Sequence, residues 1–234
     1  MGTQTVSDTT KGLSQNRQEG AGPAEPLPQP FRKEYLLGLA RTAPGPSPLA
    51  QEKTALLYIG SVSIASGHRV DLLPDILELV RKELPNVQLT IAGSGDDAKS
   101  LKKAFAAKNL ESAVTWHGRY TSEDAASLIA AADVIIDPID SSITNRAKSS
   151  SRVLNAIAVG KPIVTSNIGI RSQIIPVAFH GRFFADPADV DSYAARTVSL
   201  LQQSLTDAER SALKTSAMRY TWSVLGREYL KLLA

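Results

Sequence analysis

The chain has 234 residues, with 26 basic and 23 acidic side chains and a net charge of +3. This near balance argues against nucleic-acid binding by charge alone, because such proteins concentrate positive charge. The absence of cysteine excludes disulfides and thiolate metal sites. Three widely separated histidines (His68, His117 and His180) argue against a histidine-rich metal site.

Membrane and targeting signals are absent from the sequence pattern. No apolar run reaches the ~18 residues that a spanning helix needs, and the N-terminal residues have no apolar core of a signal peptide. We therefore expect a cytoplasmic protein without a transmembrane segment, for which peripheral membrane contact stays open.

Residues 1–53 differ in composition from the rest. They are dominated by Gly, Pro, Gln, Ser and Thr, which predicts a disordered or low-complexity segment. Within it, residues 31–41 (FRKEYLLGLAR) have the spacing of a short amphipathic helix between prolines.

From Thr54 onward, short apolar runs alternate with helical patterns. The first strand, ALLYIGSV, precedes a helix that we expect to begin at Asp71 with Pro74 in its first turn. VQLTIAG, the helix AKSLKKAFAAKNL and the strand AVTWHG follow. Thr121 and Asp124 form a helix-start box. DVIIDPI, the helix RVLNAIAV, PIVTS and a candidate sixth strand, GRFFAD, lead into the closing helices.

Strands that alternate with helices of this length predict an α/β fold. We expect residues 54–234 to form one Rossmann-like domain, with a parallel sheet that has helices on both faces. Ligands of such sheets bind at the carboxyl ends of the strands.

The stretch AKSSSRVLNAIAVG contains the strongest candidate site. Its helix begins among three serines, and small residues let an anion approach the free N–H groups of a helix start. Arg146, Lys148 and Arg152 add cations nearby, so we interpret this end, with Ser150, as a diphosphate site. The alternative is an ordinary serine N-cap in a basic loop. Gly160 is interpreted as the helix stop.

Other candidates follow strands. Gly60, Gly93 and Gly95 are placed where backbone approaches a ligand, or else form plain turns. Arg69 is a phosphate candidate or a solvated loop residue. The remaining candidates are weaker, each with a structural alternative of packing, capping or a local turn: His68, His117, Asp137, Asp140 and Arg171. No Ser/His/Asp set or metal-ligand spacing can be assembled, so the catalytic residue is unknown.

The order of the motifs resembles a known family. The motifs are YIGS…SGHRVDLL, PNVQLTIAGSGD, AVTWHGRYT, AADVIIDPI, RVLNAIAVGKPIVTSN and YTWSVLGREYLKLL. Together, over residues 55–234, they resemble the C-terminal donor-binding domain of the GT-B glycosyltransferases of the broad family 4 group. The resemblance implies one GT-B half-domain that binds a nucleoside diphosphate sugar, without a metal or cofactor, for transfer to an unknown acceptor. It also implies that Asn155 contacts the ribose.

The chain departs from this family at several positions. Asn155 and Ala147 stand where the family has acidic residues, and Arg152 replaces a lysine. The family's diphosphate-binding Arg and Lys after the first strand fall near Ser61 and near Ser66 or His68. Two hypotheses follow: a glycosyltransferase donor domain, truncated or needing a separate acceptor domain or subunit, and a non-catalytic nucleotide-sugar-binding or scaffold module. A nucleotide-sugar epimerase ranks below both, because its carboxylates and histidine cannot be placed.

Overall fold

The computed structural model describes residues 54–233 of the chain. The predictions of disorder for residues 1–53 and of a helix at 31–41 lie outside the described residues.

Six parallel strands form one sheet. They are β1 (Thr54–Ile59), β2 (Val87–Ala92), β3 (Val114–Gly118), β4 (Val134–Ile136), β5 (Ile163–Ser166) and β6 (Phe184–Ala185). Their order across the sheet is β3-β2-β1-β4-β5-β6. The chain moves from β1 toward β3 and then returns to β4, so the order reverses between β1 and β4. This is the point at which doubly wound sheets open a crevice for ligands.

Helices connect the strands and cover both faces of the sheet. They are α1 (Leu73–Glu83), α2 (Ala98–Ala107), α3 (Ser122–Ala131), α4 (Ile143–Ala147), α5 (Ser151–Val159), α6 (Arg171–Ile174), α7 (His180–Phe183), α8 (Val190–Gln202), α9 (Asp207–Ala217) and α10 (Trp222–Leu233). α1 packs against α8, whereas α5 packs against α3 and α9. Because crossovers between parallel strands are right-handed in nearly all sheets, these two groups lie on opposite faces, as the expected α/β architecture requires.

Burial follows strand position. β4 and β5 are buried at every residue, and the last four residues of β1 are buried as well. β3, at the sheet edge, alternates between covered and exposed side chains. The continuous apolar runs read in the sequence therefore belong to central strands that are covered on both faces.

Two local expectations differ from the structure. The helix expected from Asp71 begins at Leu73, after a 3-10 turn at Val70–Leu72, and Pro74 lies in its first turn. The candidate sixth strand is only two residues long, because His180–Phe183 in the same stretch is helical. Within the part of the chain that the structure describes, no helix combines the length and apolarity needed to cross a bilayer.

Candidate functional site

A cavity of about 440 Å³ opens at the carboxyl edge of the sheet. It lies among the loop after β1, the start of α3 and the start of α5. The lining residues are Ile59, Gly60, Ser61, His68, Tyr120, Thr121, Ser122, Ala125, Lys148, Ser149, Ser150, Ser151, Arg152, Asn155 and Arg171. Among these described lining residues there are two arginines, one lysine and no carboxylate, so the cavity surface is suited to an anion.

Two helices begin at this cavity. Ser150 caps α5 and accepts a hydrogen bond from the Val153 N–H at 3.3 Å. Thr121 caps α3 in a capping box with Asp124, which confirms the box read in the sequence. The first N–H groups of a helix have no partner within it, and its dipole is positive at that end. The α5 start therefore adds positive potential to the cavity, whereas Glu123 and Asp124 in the first turn of α3 offset the dipole of that helix.

Arg152 extends from the first turn of α5 into the interior. Its side chain is only 7% exposed, and its guanidinium lies 4.5 Å from the Tyr58 ring. Nε donates to the Ile59 carbonyl, Nη1 to Asp137, and Nη2 to the Tyr58 hydroxyl at 3.3 Å. A guanidinium has five N–H bonds, so two remain after these three contacts. Arg152 thus lines the cavity while bound within the protein.

Asp137 is the buried counter-ion of this arrangement. It is 1% exposed and accepts from Arg152, from Arg171 Nη2 at 3.3 Å, and from the Thr165 hydroxyl at 3.0 Å. Burial alone would raise the pKa of Asp137, but the two guanidinium groups outweigh burial and hold the pKa at about 2. A carboxylate held ionised behind the cavity wall is suited to orienting cations. Its alternative role as a catalytic acid gains no support from this placement.

Arg171 completes the inner charge cluster. It begins α6, is 1% exposed, and donates from Nη1 to the Ile168 carbonyl at 3.3 Å. Its Nε is buried without a hydrogen-bond partner. Because Arg171 also lines the cavity, this unpaired N–H donor is a candidate hydrogen-bond partner for an oxygen atom of a ligand.

Lys148 contributes the third cation. It precedes Ser149, lines the cavity, and donates from Nζ to the Ser66 carbonyl. Burial lowers the pKa of the Lys148 ammonium group, and the nearby Arg171 charge lowers it further. Lys148, Arg152 and Arg171 carry three positive charges against the one negative charge of Asp137.

The structure brings some of the predicted site residues together and leaves others apart. Gly60, Lys148, Ser150, Arg152 and Asn155 all line the cavity. The Oδ1 atom of Asn155 is buried and has no hydrogen-bond partner within the protein. For these five residues the predicted contacts with phosphate and ribose stay predictions.

Arg69 and Arg146, by contrast, are not among the residues lining the cavity. Arg69 forms an ion pair with Asp71, with Nη2 and Oδ2 2.7 Å apart, and Arg146 is exposed at the end of α4. One residue lies between Arg69 and Asp71 in the sequence, so the pair forms locally and turns the guanidinium toward Asp71. Their predicted phosphate contacts have no geometric support here.

Gly93 and Gly95 also lie outside the lining. A Cβ on Gly93 would lie 1.8 Å from the Gly60 carbonyl oxygen, and one on Gly95 would lie 2.2 Å from that of Val62. Their lack of a side chain lets the loop after β2 approach the loop after β1. The hydrogen bond from Val62 N to Ser94 O, 3.1 Å long, joins the two loops. Backbone of this chain, rather than ligand, occupies the space that these glycines leave.

Sequence reasoning missed several residues of the cavity wall. Tyr120, Thr121 and Ser122 enter from the β3–α3 connection, and the Tyr58 ring underlies Arg152. The capping box at Thr121 predicts a helix start just after a strand, and this pattern could have identified the β3–α3 connection as part of the site. The candidates His117 and Asp140 do not line the cavity.

The fold and the cavity define a Rossmann-like α/β domain with an anion-receptive crevice at the switch point of its sheet. Residues 53–203 match the family model described as "Glycosyl transferases group 1". This match spans more than half of the chain, which therefore belongs to that family. No curated protein sequence matches it significantly.

Several solved structures are similar in fold. The lipopolysaccharide outer core galactosyltransferase WaaB aligns with a TM-score of 0.66 at 17% identity, covering 88% of this chain and 54% of that one. The pneumococcal O-GlcNAc transferase GtfA, solved with UDP and GlcNAc, aligns with 0.62 at 18% identity, covering 81% and 37%. Anabaena Alr3699/HepE, solved with UDP-glucose, aligns with 0.60 at 16% identity, covering 87% and 53%.

These likenesses show a shared fold of the GT-B glycosyltransferase type. The chain spans between about a third and about half of the length of these neighbours.

Proposed function

We propose that this domain binds a nucleoside diphosphate sugar in the cavity and acts as the donor-binding half of a glycosyltransferase. One observation carries the proposal: Lys148, Arg152, Arg171 and two helix starts face one cavity that no described carboxylate lines. A diphosphate complements this surface through charge-assisted hydrogen bonds. The structural neighbours solved with UDP or UDP-glucose support the same ligand class.

Several roles follow from the geometry. The diphosphate lies against the α5 start, where Ser149 and Ser151 supply hydroxyl donors and Lys148 supplies charge. Asn155, one turn into α5, faces the ribose with its unpaired Oδ1. As the bond from the sugar to the phosphate breaks, negative charge grows on the leaving diphosphate. Fixed cations stabilise that charge without reorganising.

The acceptor is expected to bind elsewhere. The neighbours are about twice to three times as long as the part of each that aligns with this chain. A further domain or a separate subunit is proposed to supply the acceptor site.

Calorimetric titration of the purified chain with UDP, GDP and ADP tests donor binding. We expect selective binding of one diphosphate, weakened about tenfold in Lys148→Gln because a charged hydrogen bond is worth about 1.5–3 kcal/mol before solvent screening. Lys103→Gln, which removes an exposed lysine of α2 outside the cavity, is the matched control. Equal affinities for the two variants, or no binding to a folded sample, would contradict the proposal.

A binding module without turnover is the second candidate. The specific observation behind it is that the described cavity lining has no carboxylate to act as a base or to hold sugar hydroxyls. The family resemblance implies an acidic residue where this chain has Asn155. Release of UDP from UDP-glucose, measured with and without candidate acceptors, distinguishes a transferase donor domain from a binding module. Tight binding without release favours the module.

A further inference from the structure

The loop from Ser61 to Arg69 carries His68 to the cavity and is held on both sides of that residue. Asn145 Nδ2 donates to the Gly67 carbonyl at 2.8 Å, just before His68. The Arg69 N–H donates to the Pro138 carbonyl at 3.0 Å, just after it. The segment between β4 and α5 therefore fixes the backbone at His68, and the imidazole is a defined part of the cavity wall.

Gly67 brings His68 and Lys148 to the same place. Its φ of +77° favours glycine, and a Cβ there would lie 3.2 Å from Lys148 Nζ and 3.1 Å from Asn145 Oδ1. Lys148 Nζ donates to the adjacent Ser66 carbonyl. The ammonium group of Lys148 is thereby tied to the loop that presents the imidazole.

The imidazole lies among charges from three other parts of the chain. Arg152 of α5, Arg171 of α6 and Lys148 before α5 are positive, whereas Asp137 after β4 is negative. On its own loop, Arg69 is paired with Asp71. The Nδ1 atom of His68 is buried and has no hydrogen-bond partner. The protein gives this buried ring nitrogen no hydrogen-bond partner. An anionic ligand in the cation-rich cavity would provide one.

We propose that His68 is a phosphate-binding group that takes up one proton from solvent when a diphosphate enters the cavity. The imidazolium then donates an N–H to a phosphate oxygen; no covalent bond forms or breaks. This inference rests on the proposed function, because it assigns a further ligand contact to the same site. The protonated His68 would also place a cation at the cavity from the loop after β1, whose Arg69 is paired with Asp71.

The physical reason for proton uptake is that a bound diphosphate changes the electrostatic potential at His68 from positive toward negative. In the free protein, burial and then the Arg152 charge lower the pKa of His68 to about 4, so the ring is neutral at pH 7. A diphosphate brings at least two negative charges, which favour the protonated ring. Because the complex then holds more protons than the free protein, affinity rises as pH falls toward the pKa of the free ring.

Nuclear magnetic resonance of the histidine rings tests this directly in the full chain. The sequence has three histidines, and single glutamine variants assign their signals. Pyrophosphate is the probe. At pH 6, we expect His68 to be mostly neutral in the free protein and mostly protonated with saturating pyrophosphate. His117 and His180 do not line the cavity, and their signals should not change. A His68 ring that stays neutral while pyrophosphate binds would overturn the inference.

Binding measurements on variants give an independent check. For His68→Gln we expect pyrophosphate affinity to fall about tenfold at pH 6 and less than about threefold at pH 8. His117→Gln is the matched control and should behave like wild type. An equal loss at both pH values would contradict proton uptake. The same pH series is repeated with UDP-glucose. Its two phosphates have no terminal phosphate group that ionises near pH 6, so a change in affinity with pH does not come from titration of the ligand.

The outcomes separate this inference from the proposed function. If UDP binds and His68 stays neutral, the donor site stands and the histidine role fails. If pyrophosphate binds with protonation of His68 but no nucleoside diphosphate binds more tightly than pyrophosphate, the histidine role stands and the nucleotide-sugar function fails. If neither binds to a folded sample, both fail.

Discussion

The guanidinium of Arg152 occupies the space where Gly60 lacks a side chain. A Cβ built on Gly60 would lie 2.2 Å from Arg152 Nη2, and Gly60 has a φ of +142°. The glycine just after β1 and the arginine of α5 are therefore one structural unit, although they are 92 positions apart in the sequence. This unit connects the interior of the sheet to the cavity wall.

Gly60→Ala should destabilise the fold by about 1–3 kcal/mol, because the new Cβ requires both a strained backbone and displacement of a buried guanidinium. Urea unfolding measures the change. Gly181→Ala is the control, since no atom lies within 4 Å of a Cβ built there. Equal stability of the two variants would show that Arg152 moves aside at no cost.

Asp137→Asn should destabilise by about 3–5 kcal/mol, because it leaves two buried guanidinium groups without a counter-ion. Asp71→Asn breaks the half-exposed pair with Arg69 and should cost under about 1 kcal/mol. Denaturant unfolding at pH 7 compares them. Similar losses for both variants would contradict the buried-cluster interpretation.

Asp137 should also give stability a defined pH dependence. Its pKa is lowered from 3.8 to about 2 in the folded protein, so its contribution is fully present above pH 4 and is lost as pH falls toward 2. The gap in unfolding free energy between wild type and Asp137→Asn should therefore narrow over that window. A gap that is constant from pH 5 to pH 2 would assign the stabilisation to another group.

Asn155→Ala should weaken UDP binding about tenfold and change pyrophosphate binding less than about twofold. The reason is that its unpaired Oδ1 is proposed to meet the ribose, which pyrophosphate lacks. Calorimetry with both ligands makes pyrophosphate the internal control. Equal losses of affinity for UDP and pyrophosphate would indicate that Asn155 contacts the phosphates and not the ribose.

Thr121→Ala should cost about 1 kcal/mol through loss of the α3 cap, and it should also weaken UDP binding. Thr206→Ala removes an equivalent capping box from α9, away from the cavity. Thermal unfolding should show similar losses for the two variants, whereas calorimetry should show weaker binding only for Thr121→Ala. Equal affinities would remove the α3 start from the site.

Local features of the fold were predictable from the sequence. The α3 capping box involves Thr121 and Asp124, three residues apart, and the helix stop at Gly160 has the left-handed φ of +77° expected of it. Each of these features depends on neighbours within one turn. The apolar runs of the central strands were equally clear, because both of their faces are covered.

The inner cluster was not predictable, because it depends on which strands become neighbours. Arg152 meets the Ile59 carbonyl and Asp137 only because β1 and β4 are adjacent in the sheet. Spacing in the sequence marks Arg152 as a cation at a helix start, but it does not reveal that three of its N–H bonds are used within the protein. For Arg69 the decisive partner, Asp71, is local, so the ion pair could have been anticipated.

The double role of Arg152 limits how this site can evolve. The same side chain balances the charge of Asp137 inside the sheet and forms part of the cavity wall. A substitution of Arg152 that adapts the cavity to a neutral or cationic ligand would also take one of the two guanidinium partners from Asp137 and leave Arg171 to balance its buried charge. The proposed specificity for anions is therefore coupled to the stability of the fold, and a descendant with different ligand chemistry would be expected to replace Arg152 and Asp137 together.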